Sequence, residues 1–327
     1  MRPLALALSA LVAALFLASL SIGPAGIGPL DGLAALVLGG DGAAPLVMRE
    51  IRLPRALLGV MIGASLGLSG AALQGYLRNP LAEPGLIGVS GSAALGAVLA
   101  IHTGLAAASA LALPLTALAG AATGVLLILM LAGPRGGAIT LILAGIAISA
   151  LAAALTSLVL NLSPNPYAAS EIVFWMMGSL ADRSMTHVWL ALPLMLAGGV
   201  ALVTLGRGLD ALTLGEDAAE AMGLRLARLR LTLVLGTAAM VGAAVAVAGA
   251  IGFVGLVVPH LLRPLVGARP SRLLWASALG GAAMVLAADL AVRLVLPDRD
   301  LKLGVLTAIV GAPLFLHLIY KTRGGQV

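Results

Sequence analysis

About ten apolar runs, each long enough to match the roughly 30 Å hydrocarbon core of a bilayer, follow one another through this chain. They fall at 4–22, 56–77, 85–105, 110–131, 138–160, 188–205, 231–250, 251–267, 273–296 and 304–320. Backbone in lipid must satisfy its own hydrogen bonds, so a chain of this kind folds as a helical bundle. The expected class is an all-α integral membrane protein of about ten transmembrane helices. No long hydrophilic linker interrupts the series, so residues 1–327 are read as one transmembrane domain.

Charged residues make up 10% of the chain and hydrophobic ones 61%, too little charge to cover a water-exposed surface. The 42 glycines let helix backbones approach closely where packing replaces the hydrophobic drive. Gly59, Gly63 and Gly67 share one helix face, with Gly70 and Gly75 following, and form such a ridge. The absence of cysteine excludes disulfides, thiolate metal sites and cysteine nucleophiles. The net charge of +6 suits cytoplasmic loops rather than nucleic acid, and no nucleic-acid partner is expected.

Arg2 followed by an apolar run to Leu20 has the outline of a signal peptide. No small-x-small cleavage site follows, and the run is assigned as the first helix. The stretch 231–262 is too long for one span and short for two. Gly249, Gly252 and Gly255 allow two helices joined by a break. With the N-terminus inside, 12 Lys and Arg fall inside and 7 outside, and both termini are cytoplasmic. The inner set includes Arg135, Lys321 and Arg323, and the outer set includes Arg299 and Lys302.

Arg49, Arg52 and Arg55 form an unexpected outer cluster, read either as a docking patch for an acidic partner or as a helix snorkelling at the headgroups. Asp289 and Arg293 share a helix face and are expected to form a structural ion pair. Residues 206–230 are the longest inner polar stretch. Glu216, Asp217 and Glu220 are expected early in a helix and Arg225, Arg228 and Arg230 late in it, as the macrodipole favours. That stretch is either a contact for a soluble partner or a plain connection. Two prolines flank Glu83 in Asn79-Pro80-Leu81-Ala82-Glu83-Pro84, a stiff turn that is either a gate or a simple link between helices.

Catalytic sets are missing. Neither Lys302 nor Lys321 closes a phosphate-binding Gly-x-x-x-x-Gly-Lys loop. His102, His187, His260 and His317 stand apart, with no zinc motif, and no Gly-x-Ser-x-Gly elbow occurs. The chain is therefore read as a non-enzyme that binds no metal and no cofactor. Any ATP would be hydrolysed on another subunit.

The ordered segments Arg52-Leu53-Pro54-Arg55, Leu68-Ser69-Gly70-Ala71, Gln74-Gly75 and the run from Arg78 to Ser90 resemble the FecCD-like permease family of type II ABC importers. Phe174 to Leu180, Leu214-Gly215-Glu216, Gly249 to His260, Ala288-Asp289 and Gly311-Ala312-Pro313 extend the likeness over nearly the whole chain. The resemblance implies a permease subunit in a bacterial inner membrane that imports an iron-siderophore, haem or cobalamin. It implies a second copy of the chain, two ATP-binding cassette subunits and a periplasmic binding protein as partners. It implies docking of that binding protein on Arg52, Arg55 and Arg293. The ATPase-coupling segment maps onto about 214–230, with Gly215, Glu216, Ala219 and Gly223, and the inner gate onto Asn79 and Leu81. Lys302 near the last span departs from the family pattern, as does Gly267 to Arg272. The rival readings are an ion-gradient-driven secondary transporter, which the scarcity of intramembrane acids disfavours, and an integral membrane enzyme.

Overall fold

The structure, a computed structural model, describes residues 2–324 apart from 24, 41, 134, 135, 164, 165 and 296–300. Arg135 and Arg299 of the charge count above lie outside the described residues, as do the side chains of Lys321 and Arg323.

Every regular element among the described residues is helical. The larger ones are α1 (Arg2–Ser21), α2 (Pro29–Leu38), α3 (Leu53–Leu77), α4 (Val89–His102), α5 (Ala112–Ala132), α6 (Ala138–Asn161) and α7 (Pro166–Met176). They continue with α8 (Met185–Thr204), α9 (Gly206–Leu212), α10 (Glu216–Ala221), α11 (Leu226–Ala248), α12 (Val254–Leu262), α13 (Pro270–Val295) and α14 (Leu303–Gly324). All ten expected runs coincide with helices, and seven helices are long and apolar enough to cross a bilayer by themselves. The short helices α2, α7, α9 and α10 lie between the runs. Their ends are Gly- and Pro-marked, and they are too brief for a hydropathy signal to isolate.

The helix pairs α3–α13, α4–α5 and α8–α11 pack most extensively, and all three use missing side chains. A Cβ on Gly63 would run into the Gly281 carbonyl, and one on Gly67 into the Ser277 carbonyl. Gly96 meets the Thr116 carbonyl and Gly198 meets the Gly236 carbonyl in the same way. Contact of this kind replaces side-chain interdigitation with backbone-to-backbone dispersion. The ridge on α3 is thus shared between two partners, because Gly70 faces not α13 but Gly255 at the start of α12.

The run 251–267 does not form a full span. α11 ends at Ala248, Gly249 caps it at φ 72, and α12 is a 9-residue helix followed by the 3-10 turn Pro264–Val266. Nine residues rise only about 13 Å, less than half of the hydrocarbon thickness. The break lies deep in the bundle, near the middle of α3, because the Leu66 carbonyl is 2.9 Å from the position of a Cβ on Gly255. Gly249 supplies the break as expected, but the second unusual backbone conformation is at Phe253, not at a glycine, with φ 67. α4 is also short, with 14 residues.

Gly67→Ala should destabilise the detergent-solubilised protein by about 1–3 kcal/mol through overpacking. Gly85→Ala, where nothing lies within 4 Å, should leave the melting temperature unchanged, and thermal unfolding of both variants checks the contrast.

Candidate functional site

At the end of the bundle where α1 and α13 finish and α3 begins, two arginines converge on one carboxylate and a third caps the neighbouring helix end. Asp289 is 1% exposed. Arg55 donates from Nε to both of its oxygens, at 3.0 and 3.1 Å, and from Nη2 at 2.8 Å. Arg293 reaches the same carboxylate from one turn along α13, with Nη2 2.7 Å from Oδ2. Spacing in the sequence indicated the second contact. The first joins residues far apart in the chain and left no local signal.

The remaining donors hold the end of α1. The last carbonyls of a helix have no intrahelical donor. Arg52 Nη1 donates to the Leu20 and Ser21 carbonyls at 2.9 and 3.1 Å. Arg293 Nη1 donates to the Ser19 and Ile22 carbonyls at 3.0 and 2.8 Å. Four successive carbonyls are thus taken by two guanidiniums, which also suit the negative end of the helix dipole. Arg52 is 4% exposed, so it is enclosed in this cap rather than presented at the surface. Arg55 keeps 18% of its side chain exposed, and Arg49 is exposed on the preceding turn.

At the other end, 214–230 is not the single helix expected. Glu216, Asp217 and Glu220 lie in α10, six residues long, and Gly223 at φ 88 closes it. The Leu224 N–H returns to the Ala219 carbonyl and the Gly223 N–H to the Glu220 carbonyl, the paired bonds of a glycine helix stop. Arg225 then precedes α11, and Arg228 and Arg230 sit in its first turns. The arginines therefore stand at a helix N-terminus, where the dipole opposes them. Arg230 is instead buried and donates to the Gly133 carbonyl at 3.1 Å. Gly215 opens α10 at φ 106, Ala219 is its buried anchor, and Leu214, Glu216, Asp217, Glu220 and Met222 are exposed. The result is a protruding acidic turn flanked by two apolar side chains.

Asp210, just before that turn, was not singled out in the sequence. Its Oδ1 accepts from the Ser271 N–H at 2.8 Å, and its Oδ2 from the Ser271 hydroxyl at 2.7 Å and from Arg269 Nε at 2.8 Å. It caps the start of α13. Burial raises its pKa, but the Ser271 and Arg269 hydrogen bonds outweigh that and hold the carboxyl below the usual aspartate value.

The turn between α3 and α4 is fixed from inside. Asn79 Oδ1 accepts from the Leu81 N–H at 2.9 Å, closing a side-chain turn. Gln74, 1% exposed, donates from Nε2 to the Ala82 and Leu256 carbonyls, both at 3.2 Å, and accepts from Arg263 Nη2 at 2.7 Å. Glu83 Oε1 accepts from the Phe253 N–H at 2.8 Å. Separately, an apolar cavity of about 590 Å³ opens between the end of α7 and α14, lined among others by Met176, Met177, Ala250, Gly304, Ile309 and Pro313. Among the described residues no group of three or more His, Asp or Glu is placed to hold a metal ion.

Asp289→Ala leaves two guanidiniums without their carboxylate and should cost about 3–5 kcal/mol, read as loss of thermal stability in detergent. For Asp210 the depressed pKa means that its stabilisation is present above the usual aspartate range and is lost as pH falls through the folded value. The melting-temperature difference between the wild type and Asp210→Asn should therefore be constant above about pH 5 and shrink below about pH 4.

The sequence matches the FecCD transport family over residues 11–321. It is 40% identical over 318 residues to the vitamin B12 import system permease protein BtuC of Salmonella paratyphi A, covering 97% of this chain and 94% of that one. It is 38% identical over 286 residues to the ABC transporter permease protein YvrB of Bacillus subtilis, covering 86% of this chain and 80% of that one. The fold superimposes on an inward-facing metal-chelate type ABC transporter with a TM-score of 0.87 and 34% identity, covering 98% of this chain and 100% of that one. This chain therefore belongs to the FecCD transport family and is a multi-pass membrane permease of the ABC importer type.

Proposed function

We propose that this permease carries cobalamin or an iron chelate inward through a bacterial cytoplasmic membrane, driven by ATP hydrolysed on separate subunits. The observation that carries the reading is the match to an importer permease along nearly the whole of both chains, with the same fold. Two copies would enclose the path. The exposed apolar side chains of α6 and α14, such as Ile139, Leu143, Ile309 and Val310, and the cavity beside α14 suit that interface and its lumen. An apolar wall gives a bulky chelate few polar contacts, which favours passage over retention.

The α10 turn would be the ATPase contact, with Glu216 exposed, Ala219 as anchor and Gly215 and Gly223 setting its two bends. A short helix fixed at both ends transmits a push without deforming. Most of the described cations outside the arginine cluster lie at this end, and the positive-inside rule supports reading it, with both termini, as cytoplasmic. A periplasmic binding protein would dock at the opposite end. Three guanidiniums against one carboxylate leave an excess of two positive charges there. Arg55, the most accessible of the three, would meet an acidic side chain directly, with Arg293 behind it. Arg52 would contribute through the field and through the shape of the α1 cap. Asn79 and Leu81 would close the path on the cytoplasmic side.

Purification with the co-encoded ATPase subunit tests the assembly. The reading expects a stable complex of two permease and two ATPase chains, whose hydrolysis rises with chelate-loaded binding protein. A permease that binds no ATPase subunit would contradict it. Arg55→Gln, which removes the charge and keeps a donor for Asp289, should weaken the binding protein by at most about tenfold. Titration of ATPase stimulation at low and high salt reads the effect, and the salt dependence should flatten in the variant.

A further inference from the structure

The turn at Asn79–Leu81 meets the helix break inside the bundle at several contacts, and one of them, from Glu83, reaches Phe253. Phe253 caps the start of α12 and holds φ 67, a left-handed conformation that a bulky residue adopts only where its surroundings impose it. Its N–H is one of the donors that the start of a helix leaves without an intrahelical partner, at the positive end of the helix dipole. Glu83 takes that donor at 2.8 Å from the turn that carries Asn79 and Leu81. Pro84, the next residue, lies 2.6 Å from the position of a Cβ on Gly255, so the turn also packs directly on α12. Gln74 adds a second fastening, because one amide donates to Ala82 of the turn and to Leu256 of α12, with Arg263 fixing the amide from its oxygen side. The turn therefore cannot leave α12 without breaking the part-buried bond at Glu83 and the buried bonds at Gln74 together.

The side chain of Phe253 meets α14. A Cβ on Gly311 of α14 would collide with the Phe253 side chain, so the aromatic ring rests against the backbone of α14. The next two residues, Ala312 and Pro313, line the 590 Å³ cavity. A displacement of the turn would reach the cavity wall through Glu83, Phe253 and Gly311 in that order.

We propose that Glu83 is a positioning residue that couples the inner gate turn to the cavity wall, so that the turn at Asn79–Leu81 and the break at Gly249–Phe253 move as one unit. The proposal rests on the importer reading above, since it presupposes a gate that nucleotide moves. The hydrogen-bond acceptor is what matters, not the negative charge, because the partner is a backbone N–H.

The chain has no cysteine, so single cysteines can be spin-labelled without background. Gly85→Cys reports the turn, and Ala250→Cys reports the break from within the cavity. Each gives one distance between the two copies in the reconstituted complex with its ATPase subunits. With Glu83 intact, nucleotide should shift both distances. In Glu83→Ala, where Gln74 still joins Ala82 to Leu256, the Gly85→Cys distance should still shift fully while the Ala250→Cys distance follows only in part, and substrate moved per ATP should fall several-fold. Glu83→Gln, whose amide oxygen still accepts from Phe253, should behave as the wild type. Gly311→Ala pushes on the Phe253 ring without touching the turn, and it should change the resting Gly85→Cys distance. This variant supplies the test if Glu83→Ala does not assemble. Both distances still shifting fully in Glu83→Ala, a Glu83→Gln variant as uncoupled as Glu83→Ala, or an unmoved turn in Gly311→Ala would each overturn the coupling role. If nucleotide shifts neither distance with Glu83 intact, the importer reading itself falls, which separates the two failures.

Discussion

A single buried carboxylate, Asp289, organises one end of this bundle. Removing an acid from water costs several kcal/mol unless cations and donors replace its hydration. Arg55 from α3 and Arg293 from α13 supply them, at 2.8 and 2.7 Å. Once Arg293 is held by Asp289, its other nitrogen is fixed where α1 ends, and Arg52 completes the cap from the turn before α3. Three helices distant in sequence are thus registered along their axes by charge, while their lateral spacing is set by glycine. The same arrangement sets three guanidiniums against one carboxylate within the cluster, with Arg55 the most accessible of them. Under the proposed docking, the face for an acidic partner and the structural clamp would be one set of atoms, and substitutions there would act on stability and on recognition together.

The glycine contacts explain why the bundle can contain a broken helix. Where Gly70 meets Gly255, backbone touches backbone, so α12 can begin inside the bundle with its first turn seated against α3. Its exposed donor is met by Glu83 and its neighbouring carbonyls by Gln74. Irregular backbone at this depth is tolerated only when its polar groups are satisfied by protein. That requirement ties the turn after α3 to the break, and it places an ionisable side chain where hydropathy reads only an apolar run.

Most of the long helices and the small-residue ridge were legible in the sequence because they are periodic and local, whereas the short helix at 254–262 was not. So was the Asp289–Arg293 spacing on one helix face. The grouping of Arg52, Arg55 and Arg293 came from resemblance to a family, and the structure adds what each one holds. Arg52 is enclosed, which the outer position of its cluster did not reveal. The bonds Arg55–Asp289, Glu83–Phe253 and Asp210–Ser271 join residues many positions apart, and no periodicity encodes them. The single helix expected over 214–230 gave way to a turn and a new helix because Gly223 takes a left-handed conformation. Composition of the stretch suggested a dipole-matched helix, yet one glycine redirected the chain and put the arginines at the opposite kind of helix end.

Both ends of the fold then acquire roles that suit a permease worked by partners: a charged clamp on one side, a braced acidic turn on the other, and an apolar wall between them. Vectorial transport tests this most directly. Proteoliposomes holding the permease and its ATPase subunits, with loaded binding protein on the side of the Asp289 clamp, are followed for movement of labelled cobalamin or iron chelate. ATP-driven import requires accumulation that depends on ATP at the α10 side and that survives ionophores which collapse proton and sodium gradients. Accumulation that needs no ATP and stops when those gradients collapse would contradict it and make this chain a secondary transporter.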